Sequence, residues 1–166
     1  TIRKQWIPGL DARVRDFASL NANAKSPISG GIGDSQSGGF FPAELKFSGF
    51  DGIVIKGRSP KPVYLAIVDG KAELRDAKHL VGRITGEVDD ILHKEVDPKA
   101  EILQHGPAAD KGVLFSTLVS MSSRHNGRTG MGLVMASKNL RAIAVRGTNK
   151  VALADAKALT GLNRIG

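Results

Sequence analysis

The sequence predicts an α+β domain of duplicated halves, each half a glycine loop, a short helix and a strand. Three observations carry this reading. First, residues 127–147, GRTGMGLVMASKNLRAIAVRG, keep the order of residues 37–57, SGGFFPAELKFSGFDGIVIKG. Both run from glycines through a short apolar stretch and a lysine (Lys138, Lys46) to a strand-like segment that closes on a basic residue and a glycine. Second, helical spacing and period-two alternation both occur along the chain, and the mixture is that of an α+β fold. Third, Asp69-Gly70 stands between apolar runs, the signature of a two-residue hairpin.

Taken in order, residues 1–10 are an entry segment with Trp6 and Pro8-Gly9. Positions 11–24 alternate through Val14, Phe17, Leu20, Ala22 and Ala24, as one long strand or a strand pair, until Lys25-Ser26-Pro27 breaks the pattern. The small-residue run 29–39 reads as a long loop, and its place before a helix favours a binding loop over a linker. A helix over 40–47 follows, with Pro42 acceptable in its first turn and Gly49 stopping it. Residues 53–56 read as a buried strand, 62–68 and 72–74 as the hairpin, and 77–81 as a helical turn. Val88, Ile91, Leu92 and Glu95 give a helix over 85–96, with Thr85 as N-cap and Asp97-Pro98 as its end. A strand over 100–104, a turn over 105–110 and a longer strand over 113–121 lead to the second glycine loop. Beyond it lie a helix over 133–138 and a strand over 142–146. An edge strand over 151–153 and a helical start over 155–159 complete the reading.

The 166 residues are one domain's worth of chain. No apolar run approaches the ~20 residues of a membrane-spanning helix, and the first residues lack the apolar core of a signal peptide. The absence of cysteine excludes disulfides, thiolate metal sites and a cysteine-bound iron–sulfur cluster from this chain, and points to a cytoplasmic setting. The net charge is +8 and the pI about 10.0. The basic residues are scattered and only 5% of residues are aromatic. These features rank a phosphorylated ligand or an acidic neighbouring domain above nucleic acid.

Glycines before a helix let backbone N–H groups converge on an anion, so the two loops predict two anion sites. The competing reading makes the glycines packing residues that admit close helix–strand contact. Arg128 offers a fork of donors suited to phosphate. Lys46 and Lys138 divide evenly between phosphate neutralisation and solvent-facing helix ends. His79, His93, His105 and His125 share no metal-ligand spacing. His93 and the pair Asp89-Asp90 read as solvated helix-face residues, and only His125 lies beside a loop.

The segments SGGFFPAELKFSGFDGIVIKG, KPVYLAIVDGKAELRDAKHLVG and GRTGMGLVMASKNLRAIAVRGT resemble the N-terminal domain of the tungsten-containing aldehyde:ferredoxin oxidoreductases. The likeness runs from about Asn21 to about Lys150. It divides the chain into an N-terminal segment 1–20, the family-like domain 21–150, and 151–166 as the start of a following segment or a tail. The resemblance implies two similar sheet-containing halves forming the base for a tungsten (or molybdenum) bis-pterin cofactor with a bridging magnesium. It implies cofactor-binding positions at Gln36, Ser37, Gly38 and Gly39 in the first loop and Gly127, Arg128, Gly130 and Gly132 in the second. No side-chain metal ligand and no catalytic residue are expected from this chain.

By the same resemblance the enzyme oxidises aldehydes to carboxylic acids and passes electrons to ferredoxin. A [4Fe-4S] cluster is then expected only from C-terminal helical domains or a separate subunit, without which this chain is not competent. Three departures stand out. Thr129 replaces a family glycine and is expected to reshape the loop, Asn126 replaces an alanine, and Ser19 aligns with an arginine-bearing segment. The alternative function is a truncated or degenerate non-catalytic module that binds a phosphorylated ligand or an acidic partner. Continuation of the gene into a cysteine cluster distinguishes the two.

Overall fold

The computed structural model describes the backbone of residues 2–5, residues 19–149 in full, and positions 151, 152, 154, 155, 157, 158 and 160. In chain order the first strands are β1 (Ile2–Gln5), β2 (Ser19–Lys25), β3 (Ile32–Ser37), β4 (Gly52–Ile53), β5 (Val63–Val68) and β6 (Lys71–Asp76). They are followed by β7 (Glu101–His105), β8 (Leu118–Ser120), β9 (Arg124–Asn126) and β10 (Leu140–Arg146). The helices are α1 (Phe41–Phe47), α2 (Thr85–Glu95), α3 (Pro107–Asp110) and α4 (Met131–Ser137), with a 3-10 turn at Lys78–Leu80. One sheet has the order β3-β2-β1-β4 and the other β6-β5-β10-β7-β8-β9. An antiparallel sheet, a larger mixed sheet and a few short helices make the class α+β, as the sequence implied.

The larger sheet is organised by β10, which runs parallel to β5 and antiparallel to β7. Its run of apolar residues alternates in size, and the two sizes serve two faces. Ile143 and Val145 join Leu20, Phe41, Leu45, Ile67, Leu103 and Met135 in the core that also takes up the smaller sheet, α1 and α4. Ala142 and Ala144 face the opposite way, where Val88 and Leu92 of α2 pack close with Tyr64, Leu80 and Ile102. Small residues are needed there because a helix lies directly on the strand.

The Asp69-Gly70 turn forms with both residues at positive φ (44° and 85°), and its strands pair from Val68↔Lys71 to Val63↔Asp76. Helix α2 ends beside Asp97-Pro98 as expected, but Ile84 is its N-cap residue and no side chain caps it, so Thr85 lies inside the helix. The small-residue run 29–39 is not a single loop. Its centre is β3, which pairs with β2 from Lys25↔Ile32 to Leu20↔Ser37. The expected strand over 53–56 shrinks to Gly52–Ile53 at a sheet edge, and Val54 is 62% exposed. Beyond it the chain is held by the turn after α4: Ser59 N donates to Lys138 O, Asn139 Nδ2 to Ser59 O, and Lys138 Nζ to Gly57 O. The strand expected over 113–121 is only Leu118–Ser120. A turn closed by Ser116 N on Val113 O precedes it, and Met121 and Ser122 leave it at positive φ.

The two glycine–helix units therefore agree in helix length, seven residues each, and differ at the helix entry, where Phe40 is right-handed and Gly130 left-handed, and in the strand that follows. One strand is a two-residue edge and the other the buried centre of the larger sheet. No strand includes 151 or 152, and residues 157, 158 and 160 are helical. The expectations for 1–18 fall, apart from the backbone of 2–5, outside the described residues, as does Leu153 of the edge strand read over 151–153. No helix among the described residues is long and apolar enough to cross a membrane.

Candidate functional site: two glycine loops joined by Asn126

The two loops meet because β3 lies alongside β9 and the turn that follows it. Asn126, fully buried, makes the junction. Its Nδ2 donates to Ser35 O (2.8 Å) and Leu20 O (3.2 Å), and its Oδ1 accepts from Ser37 Oγ (2.9 Å). Arg128 N donates to Ser35 Oγ at 3.1 Å, fixing the second loop to the middle of β3. At the far end of β3, a Cβ on Gly39 would lie 2.9 Å from Met121 Sδ, and that sulfur accepts from Phe40 N at 3.2 Å. Sequence reasoning treated Asn126 as a departure and overlooked Ser35 and Met121. The signal for Asn126 was an amide beside a glycine loop, able to serve two carbonyls and a hydroxyl at once.

The eight expected positions separate into two groups. Gln36 is exposed on β3, Ser37 is half-buried against Asn126, and Gly38 is exposed with open space where a Cβ would stand. Gly39 has φ +113°, a conformation only glycine adopts freely. Gly127 and Arg128 are exposed, and the Arg128 guanidinium makes no hydrogen bond or ion pair among the described residues. Among those residues the N–H groups of Gly38, Gly39, Thr129 and Gly130 also donate to nothing.

Gly130 and Gly132 serve packing. A Cβ on Gly130 would lie 2.1 Å from Leu114 O, and one on Gly132 2.4 Å from Thr117 O. The Gly132 N–H is committed to Ser116 O at 3.0 Å and is no donor to a ligand. Both glycines thus leave no room for a side chain, while the N–H of Gly130, unlike that of Gly132, is uncommitted among the described residues. Thr129 does not reshape the loop: it holds φ +62°, the left-handed conformation that a β-branched residue resists. Its hydroxyl donates to Arg128 O at 2.7 Å.

Apart from His125, which adjoins Asn126, the other sequence candidates lie away from the loops. Lys46 pairs with Asp51, and Lys138 braces Gly57 O. His125 Nδ1 is 3.2 Å from Thr117 Oγ1. His93 is half-buried with Nε2 2.9 Å from Ala100 O, and Asp89 accepts from Gln104 Nε2 at 2.7 Å; neither is the solvated residue expected. His105, 2% exposed, is pushed below the ordinary imidazole value by burial first and then by the Arg141 charge. Arg141 is itself lowered by burial, and it donates to Leu80 O, Arg83 O and His105 O, tying the 80–83 turn and the end of β7 to β10. No group of three or more acidic, histidine or cysteine side chains able to hold a metal exists among the described residues. The loops suit a phosphate-bearing group, and the side chains described offer no seat for a metal cluster.

Residues 12–147 match the family described as Aldehyde ferredoxin oxidoreductase, N-terminal domain. The chain is 46% identical over 136 residues to the tungsten-containing aldehyde ferredoxin oxidoreductases of Pyrococcus furiosus and Thermococcus kodakarensis, covering 81% of this chain and 22% of each relative. It is 33% identical over 138 residues to an aliphatic sulfonate oxidoreductase, WOR-like subunit, of Pyrococcus furiosus, over 75% of this chain and 22% of the relative. The active site complex BamBC of benzoyl coenzyme A reductase, solved with 1,5-dienoyl-CoA, superposes with a TM-score of 0.82 at 35% identity, over 88% of this chain and 22% of that one. The chain thus spans about a fifth of the length of these relatives. With the fold, the paired loops and these likenesses together, the chain belongs to the aldehyde ferredoxin oxidoreductase N-terminal domain family.

Proposed function

We propose that this chain is the tungsten (or molybdenum) bis-pterin-binding base of an aldehyde:ferredoxin oxidoreductase-type enzyme, its body running over 21–150. The observation that carries the reading is the joining of the two glycine loops through Asn126, with four loop N–H groups and the exposed Arg128 guanidinium unpartnered among the described residues. The bound cofactor would supply two-electron oxidation of an aldehyde to its acid. This chain's residues bind and orient it. The N–H groups of Gly38, Gly39 and Gly130 donate to phosphate oxygens, and Arg128 gives a charge-assisted fork. Gln36, Ser37 and Gly127 would complete the lining, and the Gln36 carbonyl would help hold a magnesium. Gly132 holds the second loop against Ser116 and Thr117. Helix dipoles add little, because both helices are seven residues long and Phe40 N already serves Met121. The iron–sulfur cluster and the electron path to ferredoxin belong to helical domains or a subunit beyond these residues, since this chain has no cysteine.

Calorimetric titration with pyrophosphate at low ionic strength tests the reading. The wild-type chain binds it saturably, and Arg128→Ala binds about tenfold more weakly, the worth of one charge-assisted pair. Equal, undetectable binding by both proteins would return the loops to packing alone.

A further inference from the structure

A cleft of about 650 Å³ opens along α4 and is not used by the loops described above. It exists because the core-facing side of β2 tapers. Leu20 fills its place in the core, whereas Ala22 and Ala24, two and four residues on and on the same face, leave space. Val134 and Met135 of α4 and Ile55 line the same space, so its wall is largely aliphatic. Two lysines also line it, Lys25 and Lys138. The Lys138 ammonium touches the Gly57 carbonyl at 3.0 Å, and neither lysine forms a salt bridge among the described residues. No Asp or Glu lines the cleft. A small-molecule site of about 300–1,000 Å³ with an apolar wall and a few polar groups has this character.

We propose that the cleft is a binding site for an aliphatic carboxylate. Its tail lies against Ala22, Ala24 and Val134, and its head lies at Lys25 and Lys138. The wall rejects a short polar anion, because nothing then covers the alkyl surface. The two ammonium groups reject a cationic head by like-charge repulsion. The site is separate from the phosphate loops and stands whether or not those loops hold a pterin.

Decanoate is the probe, titrated into the full chain by calorimetry beside acetate, decyltrimethylammonium and pyrophosphate. Decanoate binds one to one, and each methylene removed from the chain weakens it about fourfold. Acetate shows no binding, decyltrimethylammonium binds at least tenfold more weakly, and pyrophosphate does not displace decanoate. Ala24→Trp fills the cleft and abolishes binding. Val134→Phe narrows it from the helix side and serves if the first variant fails to fold. Lys25→Glu alters an exposed residue and weakens binding about tenfold with the melting temperature kept. The proposal is overturned if decanoate does not bind saturably, if folded Ala24→Trp or Val134→Phe binds it as the wild type does, or if the cationic analogue binds equally well. Displacement of decanoate by pyrophosphate would also overturn it, since the two sites would then be one.

Discussion

Thr129 is the residue at which the second loop stores strain. A non-glycine residue in the left-handed region costs about 1–2 kcal/mol, more for a branched side chain, and the hydroxyl's bond to Arg128 O offsets part of it. Thr129→Gly should therefore raise stability by about 1 kcal/mol, after allowance for the greater freedom of glycine in the unfolded chain. Urea unfolding measures this, and an unchanged or lowered midpoint would show the strain to be absent. His105 sets a pH dependence at the same scale. Its folded value lies below the ordinary 6.5, so under that pH the unfolded chain takes up a proton that the folded chain refuses. Stability is complete above about pH 6.5 and falls as pH drops from there toward the lowered folded value. Unfolding measured at pH 7.5 and 5.5 should differ in the wild type and differ less in His105→Gln. An equal difference in both would place the slope in other groups.

Among the elements, the tightest junction joins the end of α1 to the end of β10. A Cβ on Gly147 would stand 2.0 Å from Ser48 N and 2.1 Å from Phe47 C, and both are backbone atoms. Buried Glu44 of α1 accepts from Gly147 N at 3.0 Å and pairs with Arg146 at 2.6 Å. Gly147→Ala must part the helix from the strand and should cost about 3 kcal/mol; a loss below about 1 kcal/mol would mean the junction is loose. Asn126→Ala should cost about 2–3 kcal/mol, since it leaves Ser35 O and Leu20 O without their donor. A change within about 0.5 kcal/mol would show that water replaces the amide.

The elements that the sequence specified correctly were those fixed by local chemistry. Asp69-Gly70 determines its own turn, and the spacing of Val88 and Leu92 determines α2. What escaped sequence reasoning was decided at long range. β3 exists because β2 pairs with a polar, glycine-bearing run, and residues 54–59 leave the sheet because the distant turn at Lys138-Asn139 takes their hydrogen bonds. The loop glycines were legible, but the division of labour was not. Whether a glycine frees an N–H or admits a carbonyl depends on Leu114, Ser116 and Thr117, up to 16 residues away in the case of Gly130 and Leu114.

At the scale of the whole molecule, the larger sheet carries a core on each face, and the smaller sheet closes one of them. This arrangement holds the two glycine loops together on β3 and β9, while the buried Arg141 bonds three carbonyls on the far side of β10. A net charge of +8 adds a general attraction for anions that salt screens, whereas the loop N–H groups act only at contact. In the proposed function these loops bind phosphate through the backbone. Amide NMR of the chain titrated with pyrophosphate at physiological salt addresses it most directly. The amides of Gly38, Gly39, Thr129 and Gly130 should move together along one saturable isotherm, and the committed amide of Gly132 should move little. Shifts spread evenly over surface lysines, with those four amides unmoved, would contradict it.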